Sequence, residues 1–188
     1  MRENRKYRCL NSVEYNFKNY KIISIKFEHR YRIMKWRNDQ IYHLRQNNRL
    51  NKKHQDIYFK DVVSKQLNEK TPEQILFSFY DHNNFVAYGG LVHVNWPDKN
   101  AEISFVINTK LEANKFKEYW NNFLKIIEIV AFKELGFKKL FIYSYNLRPI
   151  LYEVTFENNY KQEAHLIQHK FFDGKYIDIY VHSKINHT

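Results

Sequence analysis

Between residues 101 and 160 the hydrophobic positions change period three times. Ala101, Ile103, Phe105 and Ile107 fall on one side of an extended chain, with Glu102, Ser104 and Val106 on the other, which predicts a strand. Phe116, Trp120, Phe123, Ile127 and Val130 then recur at helical spacing, the stripe of an amphipathic helix. Gly136 stands where that helix would end, since a left-handed residue there costs glycine nothing. The run from Leu140 to Tyr145 is compact, apolar and aromatic, as in a buried strand. A second helix follows, for which Asn146 could serve as N-cap and Pro149 sits in the first turn. A strand–helix–strand unit of this length predicts a parallel pair joined by a right-handed crossover. The loop opening such a helix has unpaired backbone N–H groups and suits an anion.

The rest of the chain supplies more strands. Residues 20–27 alternate and predict a strand, and 28–38 a helix with Tyr31, Met34 and Trp36 inward. Residues 55–67 carry a weaker helical stripe. Residues 75–80 and 85–96 predict a hairpin around the turn residues 81–84. Gly89 and Gly90 interrupt its second strand, which implies a bulge or a close backbone approach. Residues 161–170 and 175–184 predict a final hairpin turning at Asp173 and Gly174. Residues 1–18 show no periodicity and read as a basic extension, partly ordered at best, ahead of a single domain over 19–188.

Composition narrows the class. Aromatic residues make up 18% of the chain and glycines number only four, which is not the composition of a disordered protein. A single cysteine, Cys9, excludes an internal disulfide and a cysteine-based zinc site. The histidines show no metal-binding spacing, so no metal is expected. No apolar run approaches membrane-spanning length, and the first twenty residues lack the apolar core of a secretory signal; a cytoplasmic protein without a membrane partner is the expectation. Charge is uneven. Residues 1–60 hold sixteen Lys/Arg against five Asp/Glu, whereas the remainder is balanced. That asymmetry suits an anionic partner such as a nucleotide-linked sugar, the phosphates of coenzyme A, or RNA, and equally a solubilising surface.

Glu102 within AEISF, the run VAFKELGFKKLFIY, Asn146 and ENNYKQEA together resemble the GNAT acyl-CoA N-acyltransferases over residues 20–184. The likeness is to the branch similar to ribosomal-protein N-acetyltransferases, which includes amino-sugar acetyltransferases of surface-polysaccharide pathways. It implies an α/β (α+β) GNAT fold. Its mixed sheet would have about seven strands, helices on both faces, and a V-shaped splay between the fourth and fifth strands, residues 101–108 and 138–145. It implies acetyl-CoA as co-substrate, with the pantetheine arm along Phe105, Val106 and Ile107 and with Asn146 near that arm. The family's glycine-rich pyrophosphate loop aligns with residues 115–120, which contain no glycine and would offer Lys115 and Lys117 instead.

The resemblance also implies the chemistry. Glu102 matches a catalytic glutamate that takes a proton from the amine, with His93 as the alternative base. The family's acid tyrosine would fall at Thr155, so Tyr152, one helical turn earlier, is the candidate for protonating the leaving thiolate. Trp36, Arg37 and Asn38 resemble a W-R-N triplet lining the acceptor side. Arg45 could meet a diphosphate as a planar fork, and Tyr88 joins the expected acceptor contacts. The expected acceptor is a small-molecule amine, a nucleotide-linked amino sugar ahead of a protein N-terminus or lysine. A non-catalytic binding module is the rival from another class. Nucleic acid is not the favoured partner, and a homodimer is open.

Overall fold

The computed structural model of the protein describes residues 5–187. Among these residues eight strands form one sheet: β1 (Glu14–Phe17), β2 (Tyr20–Ser24), β3 (Ile75–Asp81), β4 (Asn84–Asn95), β5 (Asn100–Ile107), β6 (Lys139–Tyr145), β7 (Lys161–Phe172) and β8 (Lys175–Ile185). Their spatial order is β1-β2-β3-β4-β5-β6-β8-β7. The extra strand comes from the stretch expected to be a loose extension. β1 pairs antiparallel with β2, and Tyr7 and Leu10 are buried in the core. The Tyr7 hydroxyl accepts the Leu76 backbone N–H at 2.9 Å, which ties this stretch to β3.

The helices are α1 (Arg30–Asp39), α2 (Lys52–Ile57), α3 (Ser64–Asn68), α4 (Glu112–Glu128) and α5 (Pro149–Glu157). A π-helical segment, Tyr58–Val63, joins α2 to α3, and another, Ile129–Glu134, extends α4. The stripe of α4 (Phe116, Trp120, Phe123, Ile127) is buried against Ile103, Phe105 and Ile107 of β5. Burying each such side chain stabilises the fold by roughly 1.5–3 kcal/mol. On the opposite face Ile33, Trp36, Phe59 and Val63 pack on Leu76, Phe85, Tyr88 and Val106. The inward residues of α1 are therefore Ile33 and Trp36, while Tyr31 and Met34, expected inward, are half-buried.

The β3–β4 turn is tighter than expected. Asp81 pairs with Asn84, leaving only His82 and Asn83 between the strands. Gly89 and Gly90 lie in unbroken register with both neighbouring strands. A Cβ on Gly89 would lie 2.2 Å from the Ser104 carbonyl oxygen, and one on Gly90 2.0 Å from that of Ile75. These glycines thus serve a close approach of strand backbones. β4 shifts register on either side of them: at Val86, since Phe79 and Tyr80 of β3 face Ala87 and Phe85, and between Val92 and Asn95, where His93 takes a left-handed φ of 49°.

Every pairing in the sheet is antiparallel except one. β5 and β6 run parallel, matching Asn100 with Lys139, Ala101 with Leu140 and Glu102 with Phe141, and there their pairing ends. Beyond it β5 stays with β4 as far as Ile107, and β6 stays with β8 as far as Tyr145. Each strand keeps its outer neighbour and loses its inner one, so the C-terminal halves part in a V. Successive backbone groups of a strand point to alternate sides. Part of the N–H and C=O groups of β5 after Glu102 therefore faces this gap without a ladder partner.

Candidate active site

The V opens into a cleft of about 680 Å³, within the range of small-molecule sites. Its α4 side is apolar, with Phe105, Phe116, Trp120, Ile142 and Leu151. Its opposite side is polar. Phe141 stands beside Glu102 in the ladder, so Tyr143 and Tyr145 share the face of Glu102 by strand alternation. All three line the cleft.

Glu102 is the deepest ionisable group, with its side chain only 6% exposed. One carboxylate oxygen accepts a hydrogen bond from the Arg45 guanidinium, and the other lies 3.8 Å from His93 Nε2. Arg45 comes from the irregular segment between α1 and α2 and also lies over the Tyr143 ring, 4.8 Å from its centroid. The fork expected to meet a diphosphate is thus engaged with the carboxylate expected to act as base. His93 is largely solvent-exposed at the rim, carried there by the β4 bulge.

Arg37 reaches the cleft from α1. It donates to Gln46 Oε1 at 2.9 Å and to the Tyr88 hydroxyl at 2.8 Å, and no carboxylate pairs with it among the described residues. Tyr88 is buried outside the lining, where its hydroxyl accepts from Arg37. Trp36 is buried against Phe85 and does not line the cleft. Asn38 also stays outside the lining, where it clamps the backbone of Leu50 and the amide of Gln46. The triplet read as acceptor contacts therefore divides into one cleft arginine and two residues that hold its surroundings.

The residues expected along the acyl donor divide as well. Phe105 lines the cleft, while the side chains of Val106 and Ile107 are buried in the packing on opposite faces of the sheet. Lys115 and Lys117 are not in a loop. They lie inside α4, paired with Glu118 and with Glu157 and Glu153 respectively, outside the lining. The segment that opens the helix is 108–111, where Asn108 Oδ1 accepts the Lys110 N–H at 3.2 Å. Asn146 is exposed and its backbone N–H bonds the Asp178 carbonyl at 2.9 Å, so Arg148, not Asn146, occupies the N-cap position of α5.

Tyr152 turns away from the cleft. Its hydroxyl donates to the Tyr145 carbonyl oxygen at 2.8 Å, and burial pushes its pKa up to about 12. Thr155 is fully buried and donates to Leu151. Sequence reasoning missed His43, Tyr143, Ser144, Tyr145 and Arg148, all in the lining. The alternation of Tyr143, Ser144 and Tyr145 was a signal of a two-faced strand, but it did not say which face met Glu102. Burial, with the Arg148 and Arg37 charges, pushes His43 down to about 3 and keeps it neutral.

These residues fit coenzyme A. A β5 edge lacking ladder partners suits the amides of an extended arm, the apolar α4 side suits its methylenes, and Arg148 suits a phosphate. Among the described residues no group of His, Cys, Asp and Glu could hold a metal ion, and no helix is long and apolar enough to cross a membrane.

A family model described as an acetyltransferase (GNAT) domain matches residues 22–178. No curated protein matches the sequence. Among solved structures, spermidine N-acetyltransferase from Vibrio cholerae in complex with CoA and spermine superposes with a TM-score of 0.76. It is 14% identical, over 90% of this chain and 96% of that one. A dodecameric form of the Vibrio cholerae enzyme gives 0.73 at 15% identity, over 90% and 95%. The Salmonella typhimurium acetyl transferase that modifies the N-terminal serine of ribosomal protein L7/L12 gives 0.71 at 10% identity, over 90% and 96%. At these identities the likeness is one of fold.

Proposed function

The chain belongs to the GNAT acetyltransferases and is an acetyl-CoA-dependent N-acetyltransferase, and from that premise we propose that its acceptor is a primary amine carried on an anionic molecule, such as a nucleotide-linked amino sugar. The observation that carries this reading is the charge of the cleft. Of the three arginines that line it, Arg45 is paired with Glu102 and Arg148 with Glu112, whereas Arg37 has no carboxylate partner among the described residues. An acceptor with several positive charges, such as the spermine bound by the Vibrio cholerae relative, would meet like charge at Arg37. An acceptor bearing a phosphate could engage Arg37 while its ammonium reaches Glu102.

Acetyl-CoA supplies the acyl thioester. Glu102 takes the proton of the arriving ammonium once Arg45 yields its place, and exposed His93 passes that proton towards solvent. Backbone N–H groups of β5 facing the gap donate to the carbonyl oxygen as negative charge develops there. The amine nitrogen bonds the acyl carbon, the C–S bond breaks, and its electron pair leaves on sulfur. The lining supports Tyr143 and Ser144 ahead of Tyr152 as hydroxyls that meet the leaving sulfur. The test is kcat/KM for three acceptors: a nucleotide-linked amino sugar, spermidine, and a peptide with a free N-terminus. Turnover of spermidine or peptide with an inert sugar nucleotide sinks the acceptor reading.

A further inference from the structure

The two strands that part in the V lead to the two helices that flank its open end. β5 runs through residues 108–111 into α4, and β6 through residues 146–148 into α5. The starts of α4 and α5, which contribute Phe116 and Arg148 to the lining, are the lips of the cleft, and one ion pair joins them. Arg148 Nη1, at the start of α5, lies 3.1 Å from Glu112 Oε1, at the first residue of α4. Both side chains are largely buried, at 15% and 21% exposure. The same Glu112 oxygen accepts the Tyr42 hydroxyl at 3.1 Å. The Arg148 guanidinium also lies over the Phe116 ring, 4.6 Å from its centroid.

A donor whose thioester lies at Glu102 must leave the cleft by this open end, because its nucleotide is too large for the gap between two strands. Its diphosphate then emerges between the lips. Of the three cleft arginines, Arg45 is held at the acyl end by Glu102 and Arg37 is held by Tyr88 and Gln46. Arg148 alone stands at the exit. The start of α4 favours negative charge through the helix dipole, and Glu112 now supplies it. Its carboxylate accepts from the donors that a phosphate oxygen would use.

We propose that Arg148 and Tyr42 are the diphosphate ligands of the acyl donor, and that Glu112 holds their seat as an internal carboxylate until the donor displaces it. On this account Arg148 and Tyr42 exchange a carboxylate for a phosphate, and the latch between the lips opens as the donor enters. A side chain replaces the glycine-rich backbone loop that α4 lacks. Burial favours the uncharged form of Arg148, a cost that Glu112 now offsets and a phosphate would offset instead.

The proposal rests on coenzyme A as donor, and binding separates the two. The probes are CoA and pantetheine, which has the same arm without the diphosphate, and the readouts are titration calorimetry and Tm shift. Arg148→Gln weakens CoA at least about tenfold, the scale of losing a charge-assisted contact, and leaves the pantetheine response unchanged. Tyr42→Phe weakens CoA by a smaller factor. Glu112→Gln removes the competing carboxylate and tightens CoA, which keeps the test open should Arg148→Gln fold poorly. Equal CoA affinity in wild type, Arg148→Gln and Glu112→Gln overturns the latch and leaves the enzyme reading standing. Failure of the wild-type protein to bind CoA overturns both.

Discussion

The guanidinium of Arg45 closes on the carboxylate of Glu102 across 57 residues of sequence, so the cleft's deepest acid meets a cation of its own chain where an amine is expected. Arg45 is 44% exposed and Glu102 only 6%. The arginine can return to water, whereas the carboxylate stays in the cleft. The pair is therefore asymmetric, with one member fixed and one displaceable.

Glu102→Gln keeps the shape and a hydrogen-bond acceptor for Arg45 but cannot take a proton. It is expected to lower kcat by at least about a hundredfold, the usual contribution of a general base, with Tm changed little. Steady-state kinetics beside a melting curve checks this. Comparable loss of stability and turnover would mark Glu102 as structural.

Arg45→Gln removes the internal competitor. A half-exposed ion pair contributes up to about 1 kcal/mol, so KM for the acceptor is expected to fall by up to about fivefold with kcat nearly unchanged. A rise in acceptor KM would instead make Arg45 a direct acceptor contact.

Tyr152→Phe deletes a hydroxyl that the fold has already used on the Tyr145 carbonyl. The expected cost is about 1 kcal/mol of stability, with kcat kept within a few-fold. A hundredfold loss of kcat would restore Tyr152 as the acid and require its hydroxyl to rotate into the cleft during turnover.

His29 gives the fold a pH dependence outside the cleft. It is buried between Ser78 and Tyr80, stacks on Phe85, and burial pushes its pKa down to about 4. In the unfolded chain a histidine titrates near 6.5, so between those values the unfolded state holds more protons. The stabilisation from neutral His29 is complete above about pH 6.5 and is lost as pH falls towards 4. Tm is expected to drop between pH 7 and 4.5, and by less in His29→Gln, although that variant begins from a lower Tm. His43 adds to the drop in both proteins. An equal drop would remove His29 from the account.

The core unit was legible because its periods differ so sharply. Alternation around Glu102, the four-three stripe of α4 and the run to Tyr145 each permit one element, and the parallel pair follows from their order. Distances across the fold were not legible. Nothing in the local pattern of Arg45 points to Glu102, nor does Arg148 announce Glu112 across an intervening helix and strand. Trp36 illustrates the opposite error: an aromatic beside an arginine suggested a contact surface, but its ring is worth more in the core against Phe85. The glycine pattern that would mark a phosphate loop is missing at residues 115–120, and without glycines nothing in the sequence marks the true start of α4 at Glu112, which leaves Lys115 and Lys117 inside the helix. β1 escaped because four residues are too few to establish alternation.

Three matched residues are all that join β5 to β6. On either side of that seam lies an antiparallel block, β1–β5 and β6–β8, each with its own continuous ladders. The sheet is built as two plates riveted near one end, with α4 in the connection between them. A guest that lays its own amides along the gap supplies the rungs missing from the rest of the seam. Amide exchange at residues 100–102 and 139–141 should then slow when the donor is bound, although those residues already have partners. Loading the enzyme would thereby turn two plates into one board.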